Sequence, residues 1–417
     1  MIFVMFLAFA VLMIIGVPIA FAMGSASLLF MQANDISLAV AAQKFFSNTQ
    51  SFSFLAVPFF ILAGNLMVES GIAKKLINFA SVLVRQLPGG LGCVSVVTSM
   101  IMAGISGSSV ADASSVGAIL IPEMNDQGYP KSFSAAINAT SSVVGIIIPP
   151  SSTMIVISYI TGLSVAKMFL AGAIPGILIG FAYLAVTVWM AKKNNYPREE
   201  RAARSEVIAA SIDAAWAMLF PVFMLGSIIL GIATPTESAS ICVVYSLLLG
   251  LFVYRSLDLK KILRALKDSA IGTTVVMMVV CTATIMQWIL VSNNIPTMIA
   301  DFLLGLNLPY ALMLLVMILI LFCAGMVMDN VPNLYIFLPI FMPIAVGMGM
   351  DPIHMSIVVL FSLAMGLFTP PVGTTLFISC NIAGISIEEC VKDLVPFFIV
   401  GGLVILLVAY CPPLTMF

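Results

Sequence analysis

The chain has 417 residues, 62% of them hydrophobic and only 8% charged, with a net charge of −1, where soluble proteins carry about 25% charged residues. That balance excludes a soluble globule and describes a polytopic membrane protein, and no basic run interleaved with aromatics suits a nucleic acid. No G-x-x-x-x-G-K-[ST], H-E-x-x-H or G-x-S-x-G segment occurs, so neither an ATP site nor an enzyme is expected; the seven scattered cysteines, with no C-x-x-C, read as buried thiols.

The apolar start, Met1 to Phe30, lacks a basic n-region and reads as embedded spans rather than a removed signal peptide. Residues 35–50 follow as an amphipathic brace, and a third span completes a scaffold over 1–87. Residues 91–105 would make about 23 Å of helix, too short for a hydrocarbon core of about 30 Å. They turn at "GISGSSVAD" (Gly104 to Asp112) and return, which predicts a re-entrant hairpin over 88–130. Residues 131–166 are a span interrupted at Pro149-Pro150, 168–190 a last span, and 191–213 a polar linker.

Beyond the linker the pattern repeats. Residues 145–180 align without a gap with 366–401, pairing Gly145 with Gly366, Pro149 and Pro150 with Pro370 and Pro371, Thr153 with Thr374 and Ser158 with Ser379. The second unit then has a scaffold over 214–290, including an interfacial brace at 256–268, a hairpin over 309–343 with its short limb at 310–325, a broken helix over 352–384 and a last span over 394–411. An odd number of spans per unit, five, predicts two inverted-topology repeats. With both termini periplasmic, 15 of the 17 lysines and arginines fall in cytoplasmic loops and only Lys44 and Lys167 outside, as the positive-inside rule requires.

Paired prolines free carbonyls and split a helix, so the second half-helix offers unpaired N–H groups at mid-membrane, suited to an anion, while freed carbonyls and hydroxyls suit Na⁺. Ser151, Ser152 and Thr153 follow the first break; Thr369 precedes the second, and Gly373, Thr374 and Thr375 follow it. The hairpin tips add Ser106, Gly107, Ser108, Ser109 and Asp112 on one side and Asp329, Asn330 and Asn333 on the other. A carboxylate at that depth needs compensation, and with no Lys or Arg placed to give it, a bound cation is expected for Asp112 and Asp329, whether or not they also cap the returning helices. Asn65 and Asn138 are expected to bond between helices, and His354, beside Asp351, to sit at the interfacial surface.

Together "VPFFILAGNLM" (57–67), "GISGSSVADASSVG" (104–117), "IIPPSSTMIVIS" (147–158), "PTESAS" (235–240), "MDNVPN" (328–333) and "GLFTPPVGT" (366–374) resemble the large membrane subunit, the M or DctM-type subunit, of TRAP transporters, the tripartite ATP-independent periplasmic transporters. The resemblance runs through the whole chain in unbroken order. It implies an elevator-type transporter of the bacterial inner membrane, driven by Na⁺ and free of cofactors, that takes up an organic anion such as a C4-dicarboxylate or sugar acid. A periplasmic substrate-binding protein would deliver the anion. The ion and substrate sites would lie at Ser106 to Ser109, Asp112, Pro149 to Thr153, Asp329 to Asn333 and Thr369 to Thr375. No four-helix extension precedes Met1, so the small membrane (Q-type) subunit is expected as a separate chain.

Overall fold

The computed structural model describes residues 2–49, 52–306 and 308–415. The first unit runs through α1 (Ile2–Ile14), α2 (Ile19–Ala33), α3 (Leu38–Thr49), α4 (Ala56–Glu69), α5 (Ile72–Val84), α6 (Gly90–Ser106), α7 (Ser109–Asp126), α8 (Lys131–Val143), α9 (Ser152–Thr161) and α10 (Val165–Asn194). The second unit repeats the order as α11 (Arg204–Ile229), α12 (Pro235–Leu248), α13 (Leu259–Ser292), α14 (Ile295–Gly305), α15 (Tyr310–Val327), α16 (Asn330–Gly347), α17 (Pro352–Gly366), α18 (Thr374–Ala383) and α19 (Ile387–Tyr410). The duplication read from the prolines therefore extends to the elements: α8 and α9 flank the first break as α17 and α18 flank the second. Among the described residues, seven helices, α10, α11, α12 with its continuation to Val253, α13, α15, α16 and α19, are long and apolar enough to cross a membrane.

Several boundaries differ from those read in the sequence. The short hairpin limbs extend to 17 residues in α6 and 18 in α15, about 26–27 Å of helix. The linker contracts to 195–203. Lys192 and Lys193 in the last turn of α10 suit its C-terminal dipole, and ion pairs from Glu206 to Arg85 (2.7 Å) and from Asp213 to Lys75 (2.6 Å) anchor the first turns of α11. The brace at 256–268 is not a separate helix. Asp258 caps Lys261 N–H at 2.7 Å and starts α13, which continues for 34 residues into the third span of its unit, whereas α3 and α4 are separate helices in the first unit. α4 and α5 meet at a 71° bend, where Gly71 takes a left-handed φ of +75°; neither this bend nor α14 was legible beforehand.

His354 is buried, 1% exposed, rather than at the surface. Asp351 caps the helix, and the His354 ring nitrogens bond Thr415 Oγ1 and Ala409 O, so His354 fastens the start of α17 to the end of α19 and the segment after it. Five of the cysteines are buried as expected, but Cys323 is exposed and Cys411 partly so.

Packing exchanges the post-break helices between units. α18 lies along α7 and α8, and α9 lies against α16. Each hairpin also rests on the broken helix of its own unit, α6 and α7 on α8, and α15 and α16 on α17. The second contact is close because Gly325 and Gly366 face each other: a Cβ on Gly366 would lie 2.2 Å from the Gly325 carbonyl carbon. Against α4 and α11 the first hairpin also presents bare backbone. A Cβ on Gly104 would fall 2.8 Å from Pro221 Cβ, and one on Gly64 would fall 3.5 Å from Ser106 Cα.

Candidate functional site

The first cluster begins where α6 runs out. Gly107 adopts φ +57°, the left-handed geometry that a tight C-cap requires, and Ser108 caps α7 by accepting from Ala111 N–H at 3.4 Å. Because Ser108 takes the cap, Asp112 does not. Its Oδ1 accepts from Ser106 Oγ at 2.5 Å, while Oδ2 is buried with no hydrogen-bond partner among the described residues. Space for that oxygen comes from Gly145, just ahead of the first break, where an added Cβ would lie 2.2 Å from Asp112 Oδ2.

Gly107 also meets the break directly. Its missing Cβ leaves 3.0 Å to Pro150 O, and Ser152 Oγ donates to Gly107 O at 3.0 Å. Both Pro149-Pro150 and Pro370-Pro371 are cis. Ser151 caps α9 through Met154 N–H, and Ser109 and Thr153 are buried at the starts of α7 and α9. Hairpin tip and helix break thus form one preassembled wall from Ser106, Gly107, Ser108, Asp112, Gly145, Pro150 and Ser152.

The second cluster is built differently. Asp329 stands at the cap position of α16 but makes no capping bond with its side chain. The tip is closed instead by Asn333, whose amide donates to Ala324 O, Met328 O and Asp329 O at 3.2, 3.0 and 3.1 Å. At the break, Gly373 N–H reaches Met326 O of the hairpin at 3.5 Å. Thr369 Oγ1 returns to Met365 O at 2.7 Å, and Thr375 Oγ1 bridges the gap to Leu367 O at 2.9 Å. Pro371 and Val372 are exposed, whereas Pro149 and Pro150 are buried. Asn330 Oδ1, Asn333 Oδ1 and Thr374 Oγ1 are buried oxygens with no partner among the described residues.

The expected residues therefore separate into two groups, each joining a tip to the break of its own unit. Gly145 and Asn138 complete the arrangement. Gly145 could have been suspected from its repeat partner Gly366; the cross-unit bonds of Asn138 had no signal in sequence beyond a buried amide. Asn65 bonds between helices as expected, donating to Ser269 Oγ at 2.8 Å.

Two interrupted helices, each covered by a hairpin tip and edged with buried oxygens, define a membrane transporter rather than an enzyme. Residues 6–414 match the family model described as the tripartite ATP-independent periplasmic transporter, DctM component. The chain is 35% identical to the isethionate TRAP transporter permease protein DctMQ of Oleidesulfovibrio alaskensis, over 99% of this chain and 66% of that one. It is 34% identical to the 2,3-diketo-L-gulonate TRAP transporter large permease protein YiaN of Escherichia coli, over 96% and 94% of the two chains. The chain belongs to the DctM family of TRAP transporter large permeases, multi-pass proteins of the bacterial inner membrane. Its fold also resembles that of the Alcanivorax borkumensis YdaH transporter, with a TM-score of 0.61 at 13% identity, over 89% of this chain and 88% of that one.

Proposed function

We propose that this permease drives uptake of an organic anion, a carboxylate or sugar acid, with the sodium gradient, taking it from a periplasmic substrate-binding protein and working with a small Q-type membrane subunit. Asp112 Oδ2, an orphaned carboxylate oxygen beside Gly145 at the first break, carries the sodium reading. A buried carboxylate without a partner is costly, and the neighbouring hydroxyls and carbonyls are the hard oxygen ligands that Na⁺ takes. In the second unit, Asn330, Asn333 and Thr374 offer further unpaired oxygens. The N-terminal ends of α9 and α18, with their dipoles, suit the anion. The class of cargo follows relatives named for isethionate and 2,3-diketo-L-gulonate, and the partners follow family membership, since one relative, DctMQ, is longer than this chain and carries both letters in its name.

In this reading the two hairpins, the broken helices and the last spans form a transport domain. That domain slides as an elevator past a scaffold built from the remaining helices, and the two units are inverted in the membrane. The test is uptake of labelled succinate, 2,3-diketo-L-gulonate and isethionate into proteoliposomes holding the permease and its small subunit, with and without the binding protein and an inward Na⁺ gradient. Uptake should need both. Rapid uptake without the binding protein would instead make it a stand-alone sodium–dicarboxylate symporter, and uptake indifferent to Na⁺ would reject the coupling.

A further inference from the structure

Asn138 of α8 is 1% exposed and lies between the two clusters. Its Nδ2 donates to Ala113 O, the residue after Asp112, at 2.9 Å, and to Ser379 Oγ on α18 of the other unit at 2.8 Å. Ser379 Oγ in turn donates to Thr375 O at 2.8 Å. Thr375 Oγ1 donates to Leu367 O across the second break and to Ala139 O, next to Asn138, at 3.1 Å. Room for the amide is provided by Gly117 of α7, where an added Cβ would sit 2.5 Å from Asn138 Nδ2. A continuous buried chain of hydrogen bonds thus runs from the helix that carries Asp112 to the residues that span the second break.

The repeat shows that this tie runs in one direction only. In the register that pairs Gly145 with Gly366, Asn138 corresponds to Val359, which cannot donate. Ser158, the counterpart of Ser379, is buried with no hydrogen-bond partner among the described residues. The two serines differ because only the first unit carries the donor amide.

We propose that Asn138 is a positioning residue that couples the two helix breaks, so that an ion held at Asp112 biases the geometry of the second break and the sites fill cooperatively. This rests on the sodium-coupled reading above. A shift of α7 or of α18 stretches a bond to the same amide, so the arrangements of the two sites are not independent.

The test uses the complete system, permease with small subunit and binding protein in proteoliposomes. Initial uptake of whichever of succinate, 2,3-diketo-L-gulonate or isethionate the binding protein retains is measured across a range of Na⁺ concentrations, beside the sodium-dependent rise in Tm of the purified permease. The natural protein should respond sigmoidally. Ser379→Ala, which deletes one oxygen, and Asn138→Ala should each raise the half-saturating Na⁺ roughly fivefold or more and flatten the curve, leaving substrate half-saturation at high Na⁺ unchanged. The double variant should be no worse than either single one, and Ser158→Ala should follow the natural protein. If Asn138→Ala does not fold, Ser379→Ala alone decides. A Ser379→Ala curve that superimposes on the natural one, or a Ser158→Ala variant equally impaired, overturns the coupling. Uptake by the natural protein that ignores Na⁺ overturns the sodium reading and this proposal together.

Discussion

Asp112 and Asp329 occupy matching hairpins yet live in different surroundings. One is fully enclosed, anchored through Ser106 and faced by Gly145; the other stands at the head of α16 with a side chain that caps nothing. In the first hairpin Ser108 takes the cap and leaves an Asp112 oxygen over, whereas in the second Asn333 closes the tip and the Asp329 carboxylate accepts from the adjoining Asn330 N–H. Hydrogen bonds involving a charged group contribute about 1.5–3 kcal/mol, so Asp112→Asn should weaken apparent Na⁺ affinity by about 10- to 100-fold while the protein still inserts and purifies. Uptake measured against Na⁺ concentration checks this, and an unchanged sodium dependence would remove Asp112 from the site. Asp329→Ala should also weaken sodium-dependent transport, and to a lesser degree, because this aspartate is only partly buried. Both aspartates were legible in the sequence, since a carboxylate in an apolar hairpin is conspicuous. Gly145 was marked only by its repeat partner Gly366, and its role not at all, because a glycine that makes room for a side chain 33 positions away leaves no local pattern.

At the scale of elements, the interrupted helices depend on backbone approach. α15 crosses α17 where Gly325 and Gly366 abut, and any side chain there would displace one helix from the other. Gly366→Ala should therefore destabilise the permease by about 1–3 kcal/mol, as overpacking of a tight interior does. The same displacement should disturb the adjacent break, since Thr369 N–H bonds Gly366 O at 3.0 Å. A lowered Tm in detergent together with reduced uptake is the expected result; an unaltered Tm would mean that the crossing is slack. The element order was readable because prolines and glycines mark it twice. Boundaries misread from the sequence lay where charge rather than apolarity decides: the polar 204–213 reads as linker, yet Arg85 and Lys75 hold it helical, and the amphipathic 259–268 reads as a brace, yet continues without a break into α13.

Across the whole molecule, the ion pairs among the described residues join the first unit to the linker or the second unit: Lys75 to Asp213, Arg85 to Glu199 and Glu206, and Glu69 to Arg264. Pro197 of the linker accepts from Gly89 N–H and from Tyr129 Oη. The linker thus straps the base of the first hairpin at the end expected to face the cytoplasm. If the hairpins slide past a scaffold, a link between the two should stop transport and a link within the scaffold should not. On a cysteine-free background, Gly104→Cys with Pro221→Cys, cross-linked with copper phenanthroline, should arrest uptake until reduced; Asn65→Cys with Ser269→Cys, between α4 and α13, should leave it intact. Full uptake by the first cross-linked pair would rule out sliding at that contact.

At the seam the Pro221 ring fills the space that a side chain on Gly104 would need, 2.8 Å from the missing Cβ, while Gly64 lies against the Ser106 backbone at ordinary contact distance. If the hairpin slides there as proposed, a single methyl group on Gly104 would act as a brake on turnover while leaving untouched every atom proposed to hold ion or cargo.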